Sequence, residues 1–311
     1  MAKNDEKVRQ LRQKYGVVAM DNAARLHPDE DLYEMMEWRD EMDQHYAKLW
    51  LDWTYGGLYT RTILSDRVRI LVVIGQCVAL GELEELPVHI RSALAHKATP
   101  REVLEVILQL TVYIGYQRVI RAARIFREVV TKLGRMDEVK TTQLPLDGTN
   151  SQRTLESDRS TWCVSEAEFP RREELMKKYG WRGIGSGLRL MRTYHRQTVE
   201  LLDRVDQHFA KAWLDWVYAE MFTRGILDDK TRQLIVVGEV MVLGETAQIE
   251  NHMRAALMQG ATPREVLEVV LHSTIYIGMP SMTRMIRSLV RILEEQGRMA
   301  ELTETQLPVP A

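Results

Sequence analysis

The chain has 311 residues, a length that makes two domains the default, and a net charge of -2 with acidic and basic residues interspersed. No basic face points to nucleic acid, and the two cysteines, Cys77 and Cys163, are too few and too far apart for a disulfide framework. The charged start "MAKNDEKVRQLRQKYG" and the lack of about 18 unbroken apolar residues exclude a signal peptide and a membrane span, so a soluble cytoplasmic protein is expected.

In chain order, a Trp-rich helix comes first, in "DQHYAKLWLDWTY" from Asp43. "TRTILSD" follows, and then "DRVRILVVIGQCVALG", which is apolar on nearly every side and reads as a buried central helix stopped by Gly81. Next comes "TPREVLEVILQLTVYIG", with Val103, Val106, Ile107, Leu110 and Ile114 on one stripe. Thr99 and Glu102 form a capping box with Pro100 at the first helical position. All of this then recurs 163 residues later. "ATPREVLEV" appears unchanged from Ala98 and from Ala261, and 18 of the 27 positions from His89 to Gly115 match those from His252 to Gly278.

The pattern is a tandem duplication of a helical domain: a first copy over 1–147, a linker over 148–170 in a Ser-, Thr- and Asp-rich stretch, and a second copy over 171–311. Strand alternation is absent, so the fold class is all-α. Each copy is expected to fold alone or nearly so. In the second copy, Phe209, Trp213, Trp216 and Val217 are expected on one side of a single helix.

The order of elements, "TRxIL(S/D)D", a buried helix ending in "LGE", "HxRxAL" and "ATPREVLEVxLxxTxYIG", resembles the carboxymuconolactone decarboxylase family over residues 43 to 130 and 206 to 293. That resemblance implies tandem helical domains of the alkyl hydroperoxidase D-like type, acting without a cofactor on a small-molecule substrate. It also implies a homo-oligomer, here a trimer of chains in pseudo-sixfold arrangement, with no nucleic-acid or membrane partner.

In the peroxidase branch of the superfamily a CxxC pair precedes the His. The matching positions here are Glu82 and Glu85 before His89, and Glu245 and Gln248 before His252, so thiol peroxidase chemistry is disfavoured. The relay Glu of that branch falls at Ile70 and Gln233.

The remaining chemistry is general acid–base. In the family's reaction a carboxylate leaves from a carbon conjugated to a lactone carbonyl. A donor must then stabilise the dienolate and an acid must protonate carbon. His252 and His89, titrating near neutral pH, are the expected proton donors, with Glu245 and Glu82 as catalytic partners. If the helix is continuous, Glu245 and His252 share a face about 10.5 Å apart along the axis. Pro87 between Glu82 and His89 points to a helix beginning only at Leu86.

Arg61 and Arg224 match the family's Arg and are expected to hold a substrate carboxylate, or else to form a buried ion pair with Asp66 and Asp229 or another carboxylate. Tyr113, Tyr276 and His272 complete the expected substrate-binding set. A metal held by Glu245, His252 and His272 is weighed and set aside, since His272 belongs to another helix and no tight pair such as HxxxH occurs. The second copy is preferred as the working one because it keeps the family's Gly260, His272 and Pro280 where the first has Lys97, Gln109 and Gln117. A non-catalytic scaffold is the third reading.

Overall fold

The computed structural model describes residues 2–27, 29–146 and 167–308. Most of the 148–170 linker therefore lies outside the described residues. Among those described, every regular element is a helix. The first copy runs α1 (Ala2–Tyr15), α2 (Val17–Leu26), α3 (Asp29–Met42), α4 (Gln44–Leu51), a π-helical turn (Asp52–Gly57), α5 (Asp66–Leu80), α6 (Leu86–Ala95), α7 (Pro100–Gln109), α8 (Thr111–Ile114), α9 (Tyr116–Lys132) and α10 (Met136–Thr141). The second runs α11 (Arg172–Tyr179), α12 (Trp181–Val205), α13 (Gln207–Trp213), a π-helical turn (Leu214–Glu220), α14 (Asp229–Leu243), α15 (Thr246–Met258), α16 (Pro263–His272), α17 (Thr274–Glu295) and α18 (Met299–Thr303).

Local signals act as the sequence states them. Thr99 and Thr262 accept from the backbone of Glu102 and Glu265, which return the bond. Both central helices stop at a left-handed glycine, Gly81 or Gly244. The turn after α6 also needs a left-handed residue. The second copy supplies Gly260 (φ 88°), whereas the first forces Lys97 to φ 67°, where a side chain costs about 1 kcal/mol or more.

The Trp-rich segment departs from a single one-faced helix. It widens into a π-helical turn in each copy, and Val217 is buried and Trp213 half-buried while Phe209 and Trp216 are exposed, as Tyr46 and Trp53 are in the first copy.

The two copies are not separately cored. α5 and α14 pack on each other across the pseudo-twofold, and one apolar cluster joins Leu71, Val72, Val103 and Ile107 to Ile235, Val236, Val266 and Val269. The crossing is close because both helices present glycine there. A Cβ on Gly75 would lie 2.8 Å from Glu239 Cγ, and one on Gly238 2.5 Å from Val72 Cγ1. A smaller cluster around Leu175, Ile184, Leu188 and Phe222 seats α11 and α12.

Polar groups cross the same interface in symmetric fashion. Glu105 of α7 accepts from Arg224 Nε at 2.8 Å and Arg232 Nη2 at 2.9 Å; Glu268 of α16 accepts from Arg61 Nε at 2.8 Å and Arg69 Nη1 at 3.3 Å. Gln109 Nε2 donates to Glu239 Oε1 at 2.8 Å. Burial pushes the Glu239 carboxyl up to about 8, so it is largely neutral at pH 7 and resembles the amide of Gln76, its counterpart in the first copy.

Candidate active site

Each copy opens a cavity beside its family histidine, and each cavity is completed by the other copy. The second-copy cavity holds ≈ 300 Å³ between α12, α14, α15 and the π-helical turn, with α8 of the first copy as a wall. His252 of α15 faces into it. Its Nδ1 lies 2.9 Å from Gln233 Oε1 on α14, and its Nε2 lies 3.2 Å from the hydroxyl of Tyr113. The Tyr113 and His252 rings stand nearly perpendicular, with centroids 5.6 Å apart.

Burial pushes the His252 imidazole down to about 3, so the resting ring is neutral. With Gln233 Oε1 as acceptor, Nδ1 carries the proton, and Nε2 accepts from Tyr113. This corrects the expectation of a histidine titrating near neutrality: in the free protein His252 is a base held between an amide and a phenol.

The remaining walls are mostly apolar, among them Leu190, Met191, Val217, Phe222 and Leu243, with Trp213 and Tyr218. Gln248 donates to the Tyr194 hydroxyl. Glu245 stands exposed at the rim as the residue before α15. Among the described residues no Lys or Arg lines this cavity.

The first-copy cavity, ≈ 390 Å³, contains His89 and, from the second copy, Ile275 and Tyr276. Burial also pushes His89 down to about 3, but Ile70 replaces the amide that orients His252, and among the described residues no hydrogen bond fixes the His89 ring. Its nearest ring is His27, centroids 6.0 Å apart. His27 in turn bonds the Tyr55 hydroxyl at 2.8 Å.

The expected tyrosines thus reach cavities, but exchanged: Tyr113 belongs with His252 and Tyr276 with His89. Arg61 and Arg224 line neither. Their side chains end on Glu268 and Glu105, so the ion-pair alternative holds, with partners in the opposite copy. Asp66 and Asp229 pair instead with Arg25 and Arg189.

His272 is fully buried and lines neither cavity; its ring lies 6.1 Å from Tyr59 and 6.4 Å from Tyr276, far from the Glu245–His252 pair. Glu82 also lines neither, because α6 starts only at Leu86 and brings Glu84 and Glu85 to the cavity instead. Among the described residues no group of three His, Cys, Asp or Glu side chains is placed to hold a metal.

Sequence reasoning missed Tyr194, Arg39 and the positioning role of Gln233. A glutamine inside the apolar run of α14 was the available signal for the last. The segments "VVAMDNAARLHPDEDLYEMMEW" and "WRGIGSGLRLMRTYHRQ", which differ most between copies, supply His27, Asp31, Met35 and Trp38 to one cavity and Leu190, Met191 and Tyr194 to the other. Divergence is therefore concentrated where ligands would touch.

Two helical copies, each placing a histidine of the "HxRxAL" stretch in a cavity, define one class. The chain belongs to the carboxymuconolactone decarboxylase family, whose model matches residues 44–128 and again 207–290. Among relatives, it is 25% identical over 101 residues to 4-carboxymuconolactone decarboxylase of Acinetobacter baylyi, covering 32% of this chain and 75% of that protein. It is 36% identical over 69 residues to nitrosuccinic acid decarboxylase of Metarhizium robertsii, covering 22% of this chain and 47% of that protein. An uncharacterized 15.0 kDa protein of Paracoccus denitrificans is 32% identical over 85 residues, covering 27% and 63%. The chain thus spans three quarters of the first relative and about half of the second. Among the described residues no helix is long and apolar enough to cross a membrane.

Proposed function

We propose that the second-copy cavity decarboxylates, or isomerises by proton transfer, a small carboxylated unsaturated lactone or carbonyl compound without a cofactor. The supporting observation is a buried, neutral imidazole pinned at Nδ1 by Gln233 and facing Tyr113 at Nε2, in a mostly apolar cavity with no Lys or Arg among its described lining residues. The two named decarboxylase relatives support the reaction class.

A carboxylate entering this cavity loses water and meets no Lys or Arg among the described lining residues, an unfavourable state for a lone anion. The anion favours the imidazolium, so His252 takes up a proton as the substrate binds. Glu245 at the rim is where that proton enters from water. In the charged ring, Nδ1–H still donates to Gln233 and Nε2–H points to the substrate, freeing the Tyr113 hydroxyl.

The C–C bond to the carboxylate then breaks, and its electron pair moves through the conjugated system to the carbonyl oxygen as CO₂ leaves. Tyr113 donates a hydrogen bond to that oxygen. The Nε2 proton passes to carbon, and His252 returns to its neutral form. One proton is consumed and one CO₂ released, which balances the step. Isomerisation uses the same groups in another order: the Nε2 proton passes to one carbon of the conjugated system, and the neutral Nε2 then removes a proton from another.

Thiol peroxidase chemistry finds no support here. Cys77 is buried, lines neither cavity, and has its thiol pushed up to about 12 by burial, while Cys163 lies outside the described residues. A trimer of chains belongs to the same proposal, and the exposed Tyr46, Trp53, Phe209 and Trp216 offer apolar surface for it.

The test is CO₂ release from 4-carboxymuconolactone and from nitrosuccinate by the full chain without added metal or thiol. The reading expects release from an acid of this type. No CO₂ from any conjugated acid, together with hydroperoxide turnover abolished by thiol alkylation, would contradict it.

A further inference from the structure

The first-copy cavity differs from its twin most in charge. Arg39 of α3 lines it, with its Cζ 4.3 Å from the Trp38 ring centroid and 4.1 Å from that of Trp50. It donates to the Met35 carbonyl, and no carboxylate of the described residues lies within ion-pair distance of it. Glu34, Glu84 and Glu85 line the same cavity, also without ion-pair partners among the described residues. Asp31, in contrast, is occupied by Arg91.

Glu85 acts on Arg39 through space, tending to hold up a guanidinium pKa that burial lowers, yet the two do not touch. A gap between an unpaired cation and an unpaired anion, walled by the aromatic rings of Trp50, Tyr55 and Tyr276, is a shape with two electrical ends. At the four corresponding positions of the second copy stand Leu202, Gln197, Ala247 and Gln248, all neutral. The charge set therefore belongs to this cavity and not to the fold.

We propose that the first-copy cavity binds a zwitterionic amino carboxylate with an aromatic or otherwise apolar body. The carboxylate pairs with the Arg39 guanidinium, whose planar fork suits two parallel hydrogen bonds. The ammonium sits between Glu85 and the neighbouring Glu34 and Glu84. The body stacks on the aromatic walls. A zwitterion places an opposite charge at both ends of the cavity, whereas a simple acid or a simple amine meets only one. Because His89 lacks the amide that fixes His252, this cavity holds its ligand without converting it.

Calorimetric titration of the full chain with L-phenylalanine, 3-phenylpropanoate and phenethylamine tests the proposal. L-Phenylalanine is expected to bind, and each truncated analogue to bind about tenfold more weakly or worse, the consequence of leaving one charge of the cavity without its partner. Arg39→Gln should erase the preference for L-phenylalanine over phenethylamine. Glu85→Gln, at an exposed position whose side chain makes no capping hydrogen bond to α6, should reduce its preference over 3-phenylpropanoate. Equal binding of either analogue by the unaltered protein, binding insensitive to both substitutions, or no binding of L-phenylalanine or L-tryptophan at millimolar concentration would overturn it.

Discussion

Replacing His252 with alanine is expected to lower kcat/KM for decarboxylation by ~10²–10⁴-fold, the range for losing a positioned general acid or base. The same change at His89 is expected to cost far less. The two imidazoles are equally depressed, to about 3, although His89 is the less buried of the two, so the shift alone does not separate them. Orientation does. His252 has a fixed tautomer because Gln233 Oε1 accepts a hydrogen bond from Nδ1–H, and its Nε2 is aimed at Tyr113; His89 has isoleucine where that amide should be. Tyr113→Phe belongs with His252→Ala although it lies in the other copy, since it removes the donor for the oxygen on which charge develops. Steady-state CO₂ release by the three variants, with circular dichroism to confirm folding, decides this. Equal losses at His252 and His89 would mean that both cavities react.

The second large effect falls on stability. Glu105→Ala is expected to destabilise the whole chain by about 3–5 kcal/mol, the usual cost of leaving a buried charge without its partner. Glu105 and Arg232 are both fully buried, and Glu105 also receives Arg224. Truncation at Glu105 leaves two guanidiniums uncompensated at the interface between copies. Glu268→Ala should act alike through Arg61 and Arg69. Asp52→Ala, which breaks the exposed pair with Lys48, should cost about 1 kcal/mol or less. Urea unfolding measures all three, and because the apolar core is shared, one cooperative transition is expected instead of two. A loss below about 1 kcal/mol for Glu105→Ala would show that these arginines are free for another task.

These two results mark what was legible in the sequence. Signals carried by neighbours along the chain came through intact: the Thr99 and Thr262 capping boxes, the stops at Gly81 and Gly244, and the late start of α6 at Leu86, with Pro87 in its first turn. The family resemblance placed His252, Tyr113 and Tyr276 beside cavities. What stayed hidden depends on how helices cross. Tyr113 and His252 are 139 residues apart, and Arg61 reaches Glu268 over 207, so no local pattern pairs them. The arginines looked like carboxylate receptors because the carboxylates they hold come from the opposite copy. Glu82 looked like the partner of Glu245 by alignment, but the shorter α6 moves Glu85 into the equivalent space. Arg39 escaped notice because α3 belongs to the stretch in which the two copies share little sequence.

The central claim, that His252 rests neutral and gains its proton from the act of binding an anion, is most directly tested by ¹⁵N spectra of the histidine ring nitrogens at pH 7. The spectra would be recorded with and without a saturated lactone carboxylate that cannot lose CO₂. The account predicts a protonated Nδ1 and a bare Nε2 in the free protein, with both nitrogens protonated once the carboxylate is bound. An imidazolium already present in the free protein, or a ring that stays neutral in the complex, would contradict it.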